Sequence, residues 1–225
     1  MNAKILIQDI DRSRCVVSEF KKLAEEYCEL VKSFGFKAKP YRDSGVLKFE
    51  SCKIEQKTRA IAYLDANIEL LKECVAQGDD PRNSAQMLWR ILKKIKAVPE
   101  NDIFDKIAQG DVVEVYLDDH IQIYRNLEFF NFTSFTIDEL LCGTWYKLYK
   151  RDFLPTLKMM KMAFKLLTKR LNKTMPWNVP EHVFDEIGSE ENLRHSILLK
   201  YLSPLTNQGK MVGAICISHA KLVQK

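Results

Sequence analysis

The sequence predicts an α+β protein in which a helical N-terminal half, residues 1–109, precedes a sheet-forming C-terminal half, residues 110–225. Three observations carry this. Apolar residues recur at three- and four-residue spacing through the first hundred positions, the period of helices with one buried stripe. At Val112 the texture changes to β-branched and aromatic runs, the composition of strands. Between the two, Gln109-Gly110-Asp111 breaks the chain and supplies the one strong boundary.

The first helix is read from Ser13 to Phe34, on a stripe of Val16, Phe20, Leu23, Tyr27, Leu30, Val31 and Phe34, and Gly35 stops it. Residues 36–50 hold Pro40 and the Asp43-Ser44-Gly45 turn signal, so a loop is expected, with room for one short strand at Val46 to Phe49. Ile54, Ile61, Ile68 and Val75 are spaced by seven, with Leu64 and Leu71 three residues after the middle two. This is an a/d seam over about three heptads, interrupted by Lys57. It is either an interface between two chains or the stripe by which this helix packs inside its own bundle. Packing within the chain is the reading preferred, since a globular helix imitates heptads over such a length. Asp79-Asp80-Pro81 then ends that helix and is expected to open another, with Asp as cap and Pro in the first turn. That helix carries Met87, Leu88, Ile91, Leu92 and Ile95 on one side, Pro99 closes it, and a short helix from Glu100 to Ala108 follows.

In the second half, Val112 to Leu117 and Ile121 to Tyr124 read as a hairpin turning at Asp118-Asp119. Arg125-Asn126 ends the return strand, and the aromatic run Leu127-Glu128-Phe129-Phe130-Asn131-Phe132 comes next. Ser134-Phe135-Thr136-Ile137-Asp138-Glu139-Leu140-Leu141-Cys142-Gly143 holds a Thr-x-x-Glu capping box that starts a second short helix. Trp145 to Asp152 is a further aromatic stretch ending in Arg-Asp. Residues 153–171 are Met- and Lys-rich and predict an amphipathic helix. Leu157, Met160, Met162, Phe164, Leu167 and Leu171 are expected to face the core or a groove. Three strands are then expected, at His182 to Ile187, Ser196 to Pro204 and Lys210 to Ser218, the last two joined through Thr206-Asn207-Gln208-Gly209.

The stretch from the hairpin through Asn126 to Asp152, with the closing run from Gly209 through Gly213 to Ser218, resembles the PAS family of sensory domains. In that family the first two strands form a hairpin. The second strand commonly ends in Asn before a helix that covers a pocket, and a Gly-aromatic-Ser/Thr-x-x-Glu-Leu-x-Gly segment follows; here Ser134 stands at its first Gly. The resemblance covers about residues 111–223 and implies a five-stranded antiparallel sheet with helices on one face, enclosing a small cavity or an apolar core. Nothing comparable covers the N-terminal half.

The bulk composition narrows the function classes. With 46% hydrophobic and 29% charged residues, and only 8 Gly and 7 Pro, the chain can build a core without disulfides or structural metal. Its net charge of +5 is a mild excess, and a nucleic-acid partner is not expected from it. The six cysteines, at 15, 28, 52, 74, 142 and 216, form no CxxC pair and are read as reduced, packed thiols. The N-terminus meets Asp9 before any long apolar run, and no stretch is long enough to span a bilayer. A cytoplasmic protein without a membrane partner is the expectation.

Chemistry-bearing motifs are not evident. His120, His182, His195 and His219 make no HExxH or close ligand pair, and no nucleophile elbow, phosphate-binding glycine loop or dinucleotide fingerprint is present. No metal site is expected. Cys142, in Leu-Leu-Cys-Gly-Thr, does not match the Asn-Cys-Arg motif of flavin-binding PAS members, and a haem ligand at His182 would rest on its position alone. No cofactor is predicted. Phe129, Phe130, Phe132, Trp145 and His182 are the candidate pocket residues. The expected function is a non-catalytic sensor or adaptor that binds a small apolar ligand or a protein partner and relays this through the N-terminal helices, with a homodimer as one form of output. The alternatives are a small α+β hydrolase or isomerase using the same cavity, and a nucleic-acid-binding regulator using the basic helices.

Overall fold

A computed structural model describes residues 3–43, 46–100, 102–117, 121–143 and 145–223, with the side chains of 3–14, 145, 146 and 167 outside the description. The hairpin turn expected at Asp118-Asp119 also lies outside the described residues.

Helix α1 (Ala3–Ser33) starts ten residues earlier than its apolar stripe suggested. Helix α2 (Lys48–Ser51) takes the place of the expected short strand. The amides of Lys48 and Phe49 both donate to the Asp138 carboxylate at 2.8 Å, so α2 is capped from ninety residues away, a signal no local window contains. Phe49 then stacks on Phe20 of α1, with ring centroids 4.0 Å apart. Helix α3 (Ile54–Ala76) runs along α1, and α4 (Ser84–Lys94) follows a turn. The cap of α4 is Asn83, whose Oδ1 accepts from Gln86 N at 3.1 Å, and not Asp79 or Asp80. Asp80 is spent on the turn itself, where its carbonyl accepts from Asn83 N and its carboxylate from Arg82.

After α4 come the two-residue strand β1 (Val98–Pro99) and a 3-10 turn at Phe104–Lys106, shorter than the helix expected there. The hairpin is β2 (Asp111–Leu117) with β3 (Gln122–Arg125), as its alternation predicted. A 3-10 helix, Leu127–Asn131, leads to α5 (Ile137–Cys142), α6 (Trp145–Leu148) and β4 (Tyr149–Arg151). The capping box on α5 is formed on both sides: Glu139 N donates to Thr136 Oγ1 at 3.3 Å, and Thr136 N to Glu139 Oε2 at 2.9 Å. Helix α7 (Phe153–Leu167), β5 (Met175–Pro176), β6 (His182–Glu186), β7 (Arg194–Asn207) and β8 (Lys210–Leu222) complete the chain. The turn between β7 and β8 places Gln208 and Gly209 at φ 48° and 74°, the left-handed pair that two-residue hairpins use.

The antiparallel sheet runs β3-β2-β8-β7-β6-β4, and the outer edge of β7 is covered in turn by β6, β5 and β1. Eight strands are thus present among the described residues where five were expected; β1, β4 and β5 are the additions. Gly213 is needed where β8 passes β2, because a Cβ there would meet Tyr116 O at 2.3 Å. Helices cover both faces of the sheet, not one. On the first face Val113, Val115, Leu205, Ile215 and Ile217, all fully buried, join Phe20, Tyr27, Leu64, Met87, Leu88 and Phe130 in one continuous core with α1, α3 and α4. The apolar core therefore crosses residue 110 without interruption. Helix α7 lies over the second face.

Leu64, Ile68 and Leu71 of the heptad seam are buried in that core and Ile61 packs against it, whereas Ile54 and Val75 at its ends are exposed. The seam's middle is thus occupied by its own chain. All six cysteines are free thiols; Cys28, Cys74 and Cys216 are buried, and Cys15 is exposed. Among the described residues no helix is long and apolar enough to cross a membrane.

Candidate functional site

The site grows out of strand alternation. Successive residues of a strand point to opposite faces, so while Val113 and Val115 enter the common core, Val112, Glu114 and Tyr116 point the other way. Register carries the rows across the sheet: Val112 lies beside Ser218 and Leu199, and Glu114 beside Cys216 and Leu202. A bulge at Lys200 makes this possible. Leu199 pairs with Ser218 and Tyr201 with Ile217, so one extra residue shifts the parity and puts Leu199 and Leu202 on the same face. The displaced Lys200 side chain ion-pairs with buried Asp111, which also accepts from Ala108 N at 2.9 Å and faces His219 Nδ1 at 3.1 Å. The start of β2 is tied to β7 and β8 by that carboxylate.

Between this second face and α7 lies a cavity of about 230 Å³. Its floor is Val112, Cys216, Ser218, Ala220, Ile197, Leu199 and Leu202; α7 roofs it with Met159, Met162, Ala163 and Leu166. Phe129, Phe132, Tyr149, Trp177 and Phe184 close the sides. Three charged side chains border it. Arg125 Nε donates to Glu114 Oε1 at 2.9 Å and its guanidinium lies 3.7 Å over the Phe129 ring, while Gln122 Nε2 donates to the same Glu114 oxygen at 2.7 Å. Arg151, on the β4 side, lies 4.8 Å over Phe184 and 5.0 Å over Tyr149. Burial lowers the Arg151 guanidinium from its ordinary value. Burial is the largest influence on Arg125 and acts the same way, but the Glu114 carboxylate together with Tyr116, Tyr63 and Tyr149 outweighs it and the net shift is upward. Burial pushes the Tyr149 phenol up to about 12, so it stays protonated near neutrality.

Asn126 fixes the hairpin that supplies the floor. It is buried, its Oδ1 accepts from Val113 N at 3.0 Å, and its Nδ2 donates to Asp111 O at 2.8 Å and Ser84 Oγ at 2.7 Å. One side chain thereby joins the end of β3, the start of β2 and the first turn of α4. Glu186 does comparable work at the β4–β6 edge. Its carboxylate accepts from Thr133 Oγ1, Ser134 N, Ser134 Oγ, Ser189 Oγ and Leu193 N.

Of the five candidate pocket residues, Phe129 and Phe132 border the cavity. Phe130 does not: it turns into the common core, edge-on to Tyr27 at 6.1 Å. His182 shares the sheet face, opposite Ile197, but is not part of the lining, and its Nδ1 faces Pro180 O at 3.0 Å. The Trp145 side chain lies outside the described residues. Sequence reasoning missed Glu114, Arg125 and Arg151. The signal for the first was available, since a lone Glu within Val112-Val113-Glu114-Val115 marks the face opposite the apolar one. Leu157, Met160 and Phe164, expected to face the core or a groove, are more than half exposed. Comparison with family models, with curated proteins and with solved structures gives no match.

Proposed function

We propose that the chain is a non-catalytic, PAS-like sensor or adaptor that takes a small, mainly apolar ligand between its sheet and α7 and relays occupancy to the N-terminal helices. The observation that carries this is the cavity itself. A dry cavity of roughly 150 Å³ admits benzene or xenon, so about 230 Å³ suits a single fused ring or a short branched chain. The PAS-like part of the reading takes β2, β3, β6, β7 and β8 as the five strands. It is supported by the opening hairpin, the Asn126 closure of its second strand, the capping box on α5 and the helix roofing a cavity.

Relay follows from the shared strands. Glu114 and Cys216 meet the ligand space while their neighbours Val113, Val115, Ile215 and Ile217 pack on the helical bundle. A ligand shifts such an equilibrium only by binding one arrangement of the sheet better than another. Titration with indole, followed in amide correlation spectra, tests the site. Shifts concentrated in α7, β7 and β8 are expected; no shifts, or shifts scattered over the exposed surface, would count against it.

A further inference from the structure

Helix α7 has two apolar faces, and the cavity uses only one. Met162 and Leu166 are buried over the sheet, whereas Phe153, Leu157, Met160 and Phe164 are 75, 51, 57 and 57% exposed. These four recur at spacings of four, three and four, which places them in one stripe along the outer side of the helix. Leu154, 67% exposed, lies beside it. Single exposed apolar residues are ordinary, but five on one fifteen-residue helix form a patch of the kind that marks an interaction site.

Charge identifies the surface that fits this patch. Lys158, Lys161 and Lys165 form a second row, spaced by three and four, along one flank of the stripe. From 153 to 180 the chain holds six basic residues, including Lys169, Arg170 and Lys173, and no acidic one. The remainder of the chain is nearly balanced, with 29 basic and 30 acidic residues left of the totals of 35 and 30. The net charge of the molecule is therefore concentrated on the segment that carries the exposed stripe. A second copy seated on the stripe would oppose these cations to themselves.

We propose that the outer face of α7 docks on an anionic lipid surface, with Phe153, Leu157, Met160 and Phe164 entering the boundary of the bilayer and the lysine row lying among its headgroups. This is the arrangement of an interfacial amphipathic helix. It differs from crossing a membrane, for which no described helix is suited. The proposal is independent of any ligand in the cavity, although α7 borders both.

Cosedimentation of the full chain with vesicles tests it, comparing phosphatidylcholine alone with phosphatidylcholine containing phosphatidylserine. Binding is expected only where phosphatidylserine is present and weakens as salt is raised. Replacing Lys158, Lys161 and Lys165 by Gln is expected to weaken binding about fivefold per residue, about a hundredfold together. Phe164→Ser is expected to weaken it at least tenfold while leaving the circular dichroism of this exposed site unchanged. Failure of the wild-type chain to pellet with anionic vesicles, or equal pelleting with neutral ones, overturns the proposal without needing any variant. So does full binding by Phe164→Ser, which would make the contact one of charge alone. A concentration-dependent dimer dissolved by Leu157→Ser, without vesicle binding, would assign the stripe to a second copy instead.

Discussion

The two faces of the sheet are built from the same strands and differ in almost everything else. Toward the bundle, β2 and β8 present Val113, Val115, Ile215 and Ile217, fully buried and continuous with α1, α3 and α4. Toward α7, the alternate residues Glu114, Tyr116, Cys216 and Ser218 border about 230 Å³ of space and an Arg–Glu pair. Close packing favours the fold, whereas an open, partly charged face forgoes packing contacts and leaves room for a second molecule. The contrast teaches that a closely packed face and an open one are separated here by one residue of strand register.

The largest expected effect breaks the contrast on its packed side. Ile217→Ala removes a side chain with no space to collapse into and is expected to cost about 3–4 kcal/mol; Leu199→Ala, which already borders the cavity, is expected to cost roughly half as much. Urea denaturation measures both, and equal costs would erase the distinction between the faces. Asn126→Ala comes next, at about 2–3 kcal/mol, because it leaves the buried Val113 N–H and Asp111 C=O without their partner.

A smaller effect depends on pH. His195 is fully buried on the α7 side of the sheet, stacked on Phe184 at 4.9 Å, and neither ring nitrogen has a hydrogen-bond partner among the described residues. Burial lowers its pKa below the ordinary 6.5, only partly offset by Glu186 and Asp185. A lowered folded-state value means that the unfolded chain takes up the proton first as pH falls. Its stabilising contribution is therefore complete above pH 6.5 and is lost as pH falls through the folded value. His195→Phe is expected to flatten the stability profile between neutral and acidic pH, leaving the slope from His182, which is shifted in the same direction. An unchanged profile would remove His195 as its source. The smallest expected change in stability is that of Ala163→Phe, within about 1 kcal/mol, since the new ring enters space that is already open. The same variant is expected to lose indole binding, which separates the two properties of this face in one substitution.

What could be read in the sequence was whatever local chemistry determines. The hairpin, the Thr136–Glu139 capping box, the Gly209 turn and the stripe of α1 all follow from neighbours within a few residues. What could not be read depends on distant partners. Asp138 caps α2 across ninety residues, and the Lys200 bulge changes which leucines of β7 share a face. Helix α7 shows the limit most clearly. Its period reveals apolar positions, but only the placement of the sheet tells which of them are covered, so Met162 is buried while Leu157, Met160 and Phe164 face outward. The PAS resemblance implied either a small cavity or an apolar core, and two of the five nominated pocket residues, Phe129 and Phe132, border the cavity that is present. Arg125 and Arg151 enter it from strands whose facing is set by their pairing with β2 and β6.

Hydrogen exchange with and without saturating indole tests most directly whether one sheet connects the cavity to the helical bundle. Slower exchange is expected in α7 and β8 and also in α3 and α4, which touch the opposite face. Protection confined to α7, with the bundle unchanged, would contradict it.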